Sequence, residues 1–343
     1  MDSSDRNESL FNAWTYPKGI ILNLFMLMRY NKFMVRKNRI DTFIENSMQI
    51  SAMRYHSSSD LERDVSQYDV LICGSDQVWR PNSNYDRNRA YFLGFAQQDQ
   101  AIKISYAPSF GVSSIPPLFK EDICPWINSI PNLSIREETG RSIIEQVTGR
   151  RATVVLDPTL LLEANHWEGF VVPPAIKTPY ILVYSTSQRG LFSELVQYVK
   201  KTTRLPIVVL SLYSLNLISG ADEVIYDAGP REFISLFANA ECVCTNSFHG
   251  SAFSIIFHKP FWSVPHNMAN SRLADLLQRI GLGDRQVDTT IHFPSSPLEI
   301  DYGMPRRLLE RERLNSLKFL ESALSPMQPS TNGLNTGGGQ IRI

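Results

Sequence analysis

Three short apolar, β-rich runs, Val70 to Cys73, Ile102 to Tyr106 and Thr153 to Leu156, are separated in the first half of the chain by polar or helix-like stretches. This alternation specifies a parallel sheet covered by helices, because two parallel strands can be joined only by a long crossover, usually helical. After the Pro-rich segment Val171 to Pro179 the pattern restarts. It then reads as strand Tyr180 to Tyr184, an amphipathic helix near Leu191 to Lys201, strand Ile207 to Leu210, and a short strand Glu223 to Tyr226. Helix Pro230 to Ala240, with Pro in its first turn, leads to strand Cys242 to Thr245, and Ser251 to Phe257 reads as a buried helix ended by Lys259-Pro260. A second α/β unit therefore begins near Thr178. At roughly 150 residues per domain, 343 residues accommodate both. Apolar residues at helical spacing from Arg306 to Leu324 predict a long terminal helix, and the Gly-, Ser- and Asn-rich stretch after it reads as disordered.

Composition narrows the partners. Lys+Arg and Asp+Glu each total 34, so no summed field draws the chain to nucleic acid or an anionic membrane, and a local site must select its ligand. With 43% hydrophobic and 20% charged residues, disordered, collagenous and membrane classes are excluded. Of the four cysteines, Cys73, Cys242 and Cys244 lie in apolar runs and Cys124 does not, a pattern of buried thiols in a reducing compartment. Cys242 and Cys244 share a strand face, but no second Cys/His pair completes a zinc site, and neither metal nor cofactor is expected. The acidic N-terminus lacks the cationic region of a secretory signal. The apolar run Ile20 to Met28, flanked by Lys18, Arg29, Lys32, Arg36 and Lys37, is too short to span a bilayer. It reads as an interfacial anchor or, in preference, as a helix packed on the protein's own core. The expected location is the cytoplasm, with at most peripheral contact at the inner face of the membrane.

Three stretches carry candidate chemistry. In Asp69 to Asn82 (DVLICGSDQVWRPN) an apolar strand ends in Gly74-Ser75-Asp76. Ligands of open α/β sheets bind beyond strand carboxyl ends, so Gly74 and Ser75 would permit close approach and Asp76 would face the cleft; a helix cap explains the same three residues equally well. In Thr245 to Ser251 (TNSFHGS) a buried strand opens a helix, so Asn246, Ser247, Gly250 and the free N–H groups make an anion site. His249 stands beside it as an acid or cation. A lone His is more often structural, yet this strand-to-helix position favours catalysis. In Ser134 to Thr139 (SIREET) Arg136 offers a fork for a carboxylate or phosphate, the alternative being a surface ion pair with Glu137 or Glu138.

Those stretches, together with ISYAPSFG (Ile104 to Gly111), VVLDPTLLL (Val154 to Leu162), GPREFISLFANAECVCTNSFHGSAFSIIFHKPFW (Gly229 to Trp262) and NSRLADLLQRIGL (Asn270 to Leu282), resemble the polysaccharide pyruvyl transferase family over roughly Ile40 to Arg285. The resemblance implies an α/β chain of two Rossmann-like domains of glycosyltransferase-B type, here 1–177 and 178–305, followed by the terminal helix 306–324 and the tail 325–343. It also implies phosphoenolpyruvate as donor and a saccharide acceptor, free or lipid-linked, whose hydroxyl pair becomes a pyruvate ketal in a surface polysaccharide. On that reading Arg136 and the Asn246 to Gly250 turn hold the donor, His249 protonates its methylene carbon, and Asp76 or Glu137 accepts the hydroxyl proton. Many members carry Arg two residues before the motif His, where this chain has Ser247, so one anion contact must come from elsewhere. Members also begin with a strand and an Asn-Tyr-Gly loop not found before Tyr16, so the first N-terminal strand is expected to be missing. Two other functions fit the same cleft: a glycosyltransferase using a nucleotide sugar, or a non-catalytic scaffold in polysaccharide assembly.

Overall fold

A computed structural model of the chain describes residues 17–97, 100–185, 190–211, 218–265, 271–287 and 298–325. The tail read as disordered lies, from residue 326 on, outside them.

Four parallel strands, β1 (Val70–Cys73), β2 (Ile102–Ser105), β3 (Asn132–Ile135) and β4 (Thr153–Val154), form the first sheet in chain order. Trp79 is fully buried after β1. It stacks on Phe92 at 4.6 Å, and its indole N–H donates to the Tyr91 carbonyl at 3.0 Å. Ile123 and Ile127 of helix Pro117–Asn128 and Ile143 and Ile144 of helix Glu138–Thr148 complete the core on that face. Among the described residues no strand precedes β1, which forms the sheet edge and leaves Ile72 half exposed.

The second sheet contains β5 (Ile181–Tyr184), β6 (Ile207–Leu210), β7 (Glu223–Ile225), β8 (Cys242–Thr245) and β9 (Phe261–Ser263), all parallel, in the order β7-β6-β5-β8-β9. Taking β5 as first strand, this is the 3-2-1-4-5 order of a Rossmann unit, whose topological switch lies between β5 and β8. Alternation along each strand feeds two cores. Leu182, Val208, Leu210 and Val243 pack with helices Pro230–Asn239 and Phe248–Ile256, while Ile181, Val183, Ile207, Val209, Cys242 and Cys244 pack with helix Leu191–Thr203. Burial on both faces is why these strands read as continuous apolar runs.

Segments 156–176 and 303–325 tie the sheets together. Leu156 and Leu160 are buried in the core of the second sheet, with Trp167 and Phe170 packed against it. The terminal helix Gly303–Leu324 buries Leu309 in that core and presents Phe319 and Leu320 to Tyr106 and Val155 beside the first. Its Arg313 donates to the carbonyls of Leu160 (2.7 Å) and Leu162 (3.3 Å). The apolar run Ile20 to Met28 lies within helix Pro17–Ser47. From Tyr30 onward this helix stays largely exposed and docks on the second sheet's layer, through Lys32 to Asp227 (2.8 Å), Arg39 to Glu232 (3.3 Å) and Phe43 against Phe170. No helix among the described residues is long and apolar enough to cross a membrane.

Candidate functional site

All four strands of the first sheet deliver a polar residue from their carboxyl ends to one place. Beyond β1, Gly74 adopts φ +136°, and a Cβ there would stand 1.8 Å from the Tyr106 carbonyl oxygen, so only glycine lets this turn lie against the β2 turn. Ser75 donates from Oγ to Asp157 at 3.2 Å. Asp76 sits at φ +65°, uncommon for a residue with a side chain, held by the Ser109 N–H donating to its carbonyl at 2.8 Å. Its carboxylate is half exposed.

Arg136, directly after β3, is the hub. It donates from Nη1 to Asp157 at 2.6 Å and from Nη2 to Asp76 at 2.8 Å, and its Nε stands 3.9 Å from Glu137. The guanidinium lies 4.4 Å from the centre of the Phe248 ring, which belongs to the opposite sheet's layer. With its side chain 2% exposed, both prongs of the fork are spent on carboxylates of the protein itself. Glu137 is equally buried and accepts from Ser109 Oγ at 2.8 Å; burial pushes its carboxyl above the usual range, against the pull of Arg136 and Ser109.

Asp157, after β4, is a site residue that sequence reasoning missed. Besides Ser75 and Arg136 it accepts from the Thr159 amide (3.1 Å) and hydroxyl (2.7 Å), and it lies 3.9 Å from His249 Nε2. Burial opposes its ionisation, but Arg136, His249 and Thr159 outweigh that and hold the carboxyl below its ordinary value. The same balance of burial against Arg136, His249 and Arg272 lowers Asp76.

The second sheet faces this cluster with the end of β8, at its switch point. Ser247 caps helix Phe248–Ile256, accepting from the Gly250 N–H at 3.4 Å. Thr245 Oγ1 donates to the Tyr184 carbonyl at 2.6 Å and accepts from the Ser247 N–H at 3.0 Å. A Cβ on Gly250 would come within 2.2 Å of that oxygen, so glycine is what allows the helix to start against the strand. Asn246 is buried. His249 follows in the first turn, one-third exposed.

Arg272, also missed, enters from helix Ser271–Arg279. Its Nη1 lies 3.6 Å from Asp76, and the Gln77 amide oxygen, turned toward it, accepts from Nη1 and Nη2 at 2.8 and 2.9 Å. This arginine supplies a cation to the cleft where Ser247 cannot. Its only sequence signal was a place in the resemblance block Asn270 to Leu282. Three residues on, Asp275 lies 3.8 Å from Arg279 of the same helix, and burial pushes its carboxyl above the ordinary value.

The structure therefore brings together Gly74, Ser75, Asp76, Arg136, Glu137, Asn246, Ser247, His249 and Gly250 at two facing sets of strand ends. No group of three or more metal-ligating side chains exists among the described residues.

Two parallel α/β layers with an ionic cluster at their facing strand ends define a protein built of Rossmann-like units. The family model "Polysaccharide pyruvyl transferase" matches residues 7–267, and the chain belongs to that family. No curated protein matches it. Among solved structures it is similar to S. aureus MnaA in a co-structure with UDP, at 11% identity over 88% of this chain and 89% of that one, with a TM-score of 0.48. It is also similar to AviGT4, a glycosyltransferase of avilamycin A biosynthesis, at 12% identity over 86% and 90% (TM-score 0.47). UDP-GlcNAc 2-epimerase from Neisseria meningitidis, bound to UDP-GlcNAc, is similar at 10% identity over 80% and 88% (TM-score 0.41).

Proposed function

We propose that this chain transfers the pyruvyl group of phosphoenolpyruvate to two hydroxyls of one saccharide, forming a pyruvate ketal in a surface polysaccharide or its lipid-linked precursor and releasing inorganic phosphate. The observation that carries the reading is the convergence of a half-exposed carboxylate, a partly exposed imidazole and two arginines on one cleft between the sheets.

Asp76 occupies, between Arg136 and Arg272, the position an anionic donor group would take. Phosphoenolpyruvate carries a carboxylate and a phosphate, and one of them would displace the Asp76 side chain from the two guanidinium groups. The other would lie against the N-terminus of helix Phe248–Ile256. His249 then protonates the methylene carbon, leaving an oxocarbenium-like centre at the carbon bearing the phosphate oxygen. One sugar hydroxyl attacks that carbon and gives its proton to the released Asp76, which passes it to the departing phosphate; the second hydroxyl then closes the ketal and gives its proton to His249, restoring the acid. Glu137, buried behind Arg136, supports the cation and is not placed to reach an acceptor. Asp157 orients Arg136 and stabilises the charged imidazole, as a buried carboxylate beside a catalytic His does. The four free cysteines and the donor both suit the cytoplasm.

The test is phosphate release from phosphoenolpyruvate in the presence of a panel of nitrophenyl and lipid-linked sugars, alongside thermal melts with either donor class. Stabilisation by phosphoenolpyruvate and acceptor-dependent phosphate release support the transferase. Stabilisation by UDP-sugars alone would replace it with a glycosyltransferase, and stabilisation by neither would favour a scaffold.

A further inference from the structure

One 3₁₀ turn beyond Asp76 the chain lines a groove of about 400 Å³. Its walls are the loop Pro81 to Ser83, Tyr85 and Asn88 of helix Tyr85–Tyr91, and Pro116, Leu118, Phe119 and Asp122 at the start of helix Pro117–Asn128. The loop is pinned: the Asn84 N–H donates to Asn82 Oδ1 and Asn88 Nδ2 donates to the Asn82 carbonyl, both at 2.8 Å. The Tyr85 ring packs edge-on against Trp126 at 5.1 Å, which fixes its plane, yet Tyr85 remains 55% exposed. Leu118, across the groove, is 76% exposed. The side chains of Ser83 and Asp122 take part in no hydrogen bond or ion pair among the described residues. No Lys or Arg lines the groove, and its one formal charge is Asp122.

A fixed aromatic surface beside amides, a hydroxyl and one carboxylate matches the two faces of a sugar ring: C–H groups lie on the aromatic, and hydroxyls bond to the polar rim. Without a cation the groove offers nothing to a uronate, a phosphate or a nucleotide diphosphate, and Asp122 repels them. Leu118, Phe119 and Pro116 suit the methyl of an N-acetyl or deoxy sugar. We infer that this groove is the subsite for the saccharide acceptor and that it takes a neutral or N-acetylated chain and rejects an anionic one. The assignment rests on the transferase reading for its role, while saccharide binding is measurable without any turnover. The 3₁₀ turn Gln77–Trp79 joins the loop of the groove to Asp76, the carboxylate proposed to accept the hydroxyl proton.

The experiment is saturation-transfer NMR and isothermal titration of the full chain with maltotetraose, chitotetraose and tetragalacturonate, for wild type, Tyr85→Ala and Leu118→Ala. Leu118→Ala guards against a folding defect, since an exposed side chain contributes little to the core. Phosphoenolpyruvate-induced melting shifts are recorded on the same samples. The expected result is millimolar or tighter binding of a neutral or N-acetylated probe, weakened about tenfold in Tyr85→Ala and measurably in Leu118→Ala, with tetragalacturonate not bound and the phosphoenolpyruvate shift unchanged. Failure of both neutral probes to bind at millimolar concentration overturns the inference. So does equal binding of tetragalacturonate, or binding unaffected by either substitution. Neutral-probe binding lost in Tyr85→Ala without any phosphoenolpyruvate shift in wild type would keep the subsite and reject the pyruvyl donor.

Discussion

Replacing Arg136 by Met removes the one cation that every first-sheet carboxylate in the cleft leans on and leaves an unbranched apolar stem. Two charge-assisted hydrogen bonds, at 2.6 and 2.8 Å, are lost, as are the approach to Glu137 and the contact with Phe248. Asp157, 1% exposed, is left as a buried charge short of its main partner. Breaking a buried pair in this way costs about 3–5 kcal/mol. At roughly 2–4 °C per kcal/mol for chains somewhat shorter than this, the melting temperature should fall by about 6 to 20 °C at neutral pH. The loss should also depend on pH. In the wild type Asp157 and Asp76 have folded values below their unfolded value of about 3.9. They therefore contribute stability that is present above that value and is lost as pH falls through the folded one. Without Arg136, burial raises Asp157, so the variant gains by protonation what the wild type loses. The gap between the two should be widest at pH 7 and narrow below about pH 4. Calorimetric melts of both proteins at several pH values decide it. A variant melting within about 2 °C of wild type at pH 7, or a deficit of constant size across the range, refutes the hub role.

Three further substitutions separate binding from chemistry. His249→Ala should keep the fold, because the side chain is partly exposed, and lower acceptor-dependent phosphate release by about 10²–10⁴-fold; more than half of wild-type turnover would remove His249 from the mechanism. Asp76→Asn should lower the apparent KM for phosphoenolpyruvate, by relieving competition for Arg136 and Arg272, while kcat falls at least about tenfold; a raised KM at unchanged kcat would contradict both roles. Gly250→Ala forces a Cβ onto Thr245 Oγ1 and should cost about 1–3 kcal/mol, with part of the loss recovered in the double variant carrying Thr245→Ala. A Gly250→Ala protein as stable as wild type in urea titration would mean that the turn relaxes freely.

The strands most legible in the sequence were those buried on both faces. β5, β6 and β8 are unbroken apolar runs, and their periodic helices announced the second unit. β3, with the sequence NLSI, escaped notice because two of its four residues, Asn132 and the buried Ser134, are polar. Ser134 is fully buried yet satisfied, its N–H donating to Ser105 Oγ and its own Oγ accepting from the Ala107 N–H. Local pattern registers hydrophobicity, whereas a pair of serines bridging adjacent strands leaves no periodic mark.

The same limit divides the site. The residues Gly74, Ser75, Asp76, Asn246, Ser247 and His249 were readable because a Gly- or Ser-rich turn following an apolar strand has a fixed address in any α/β sheet, its carboxyl end. Sequence alone also marked Arg136 as a fork for the carboxylate or phosphate of an anionic ligand; in the structure both prongs are taken by carboxylates of the protein. That those carboxylates are Asp157 and Asp76 depended on where β4 and β1 end relative to β3. That Arg272 supplies the second cation depended on how a helix of the other layer meets the first sheet. Such contacts join residues far apart in the chain, and their energies come from burial and distance, which exist only once the sheets have packed across the cleft.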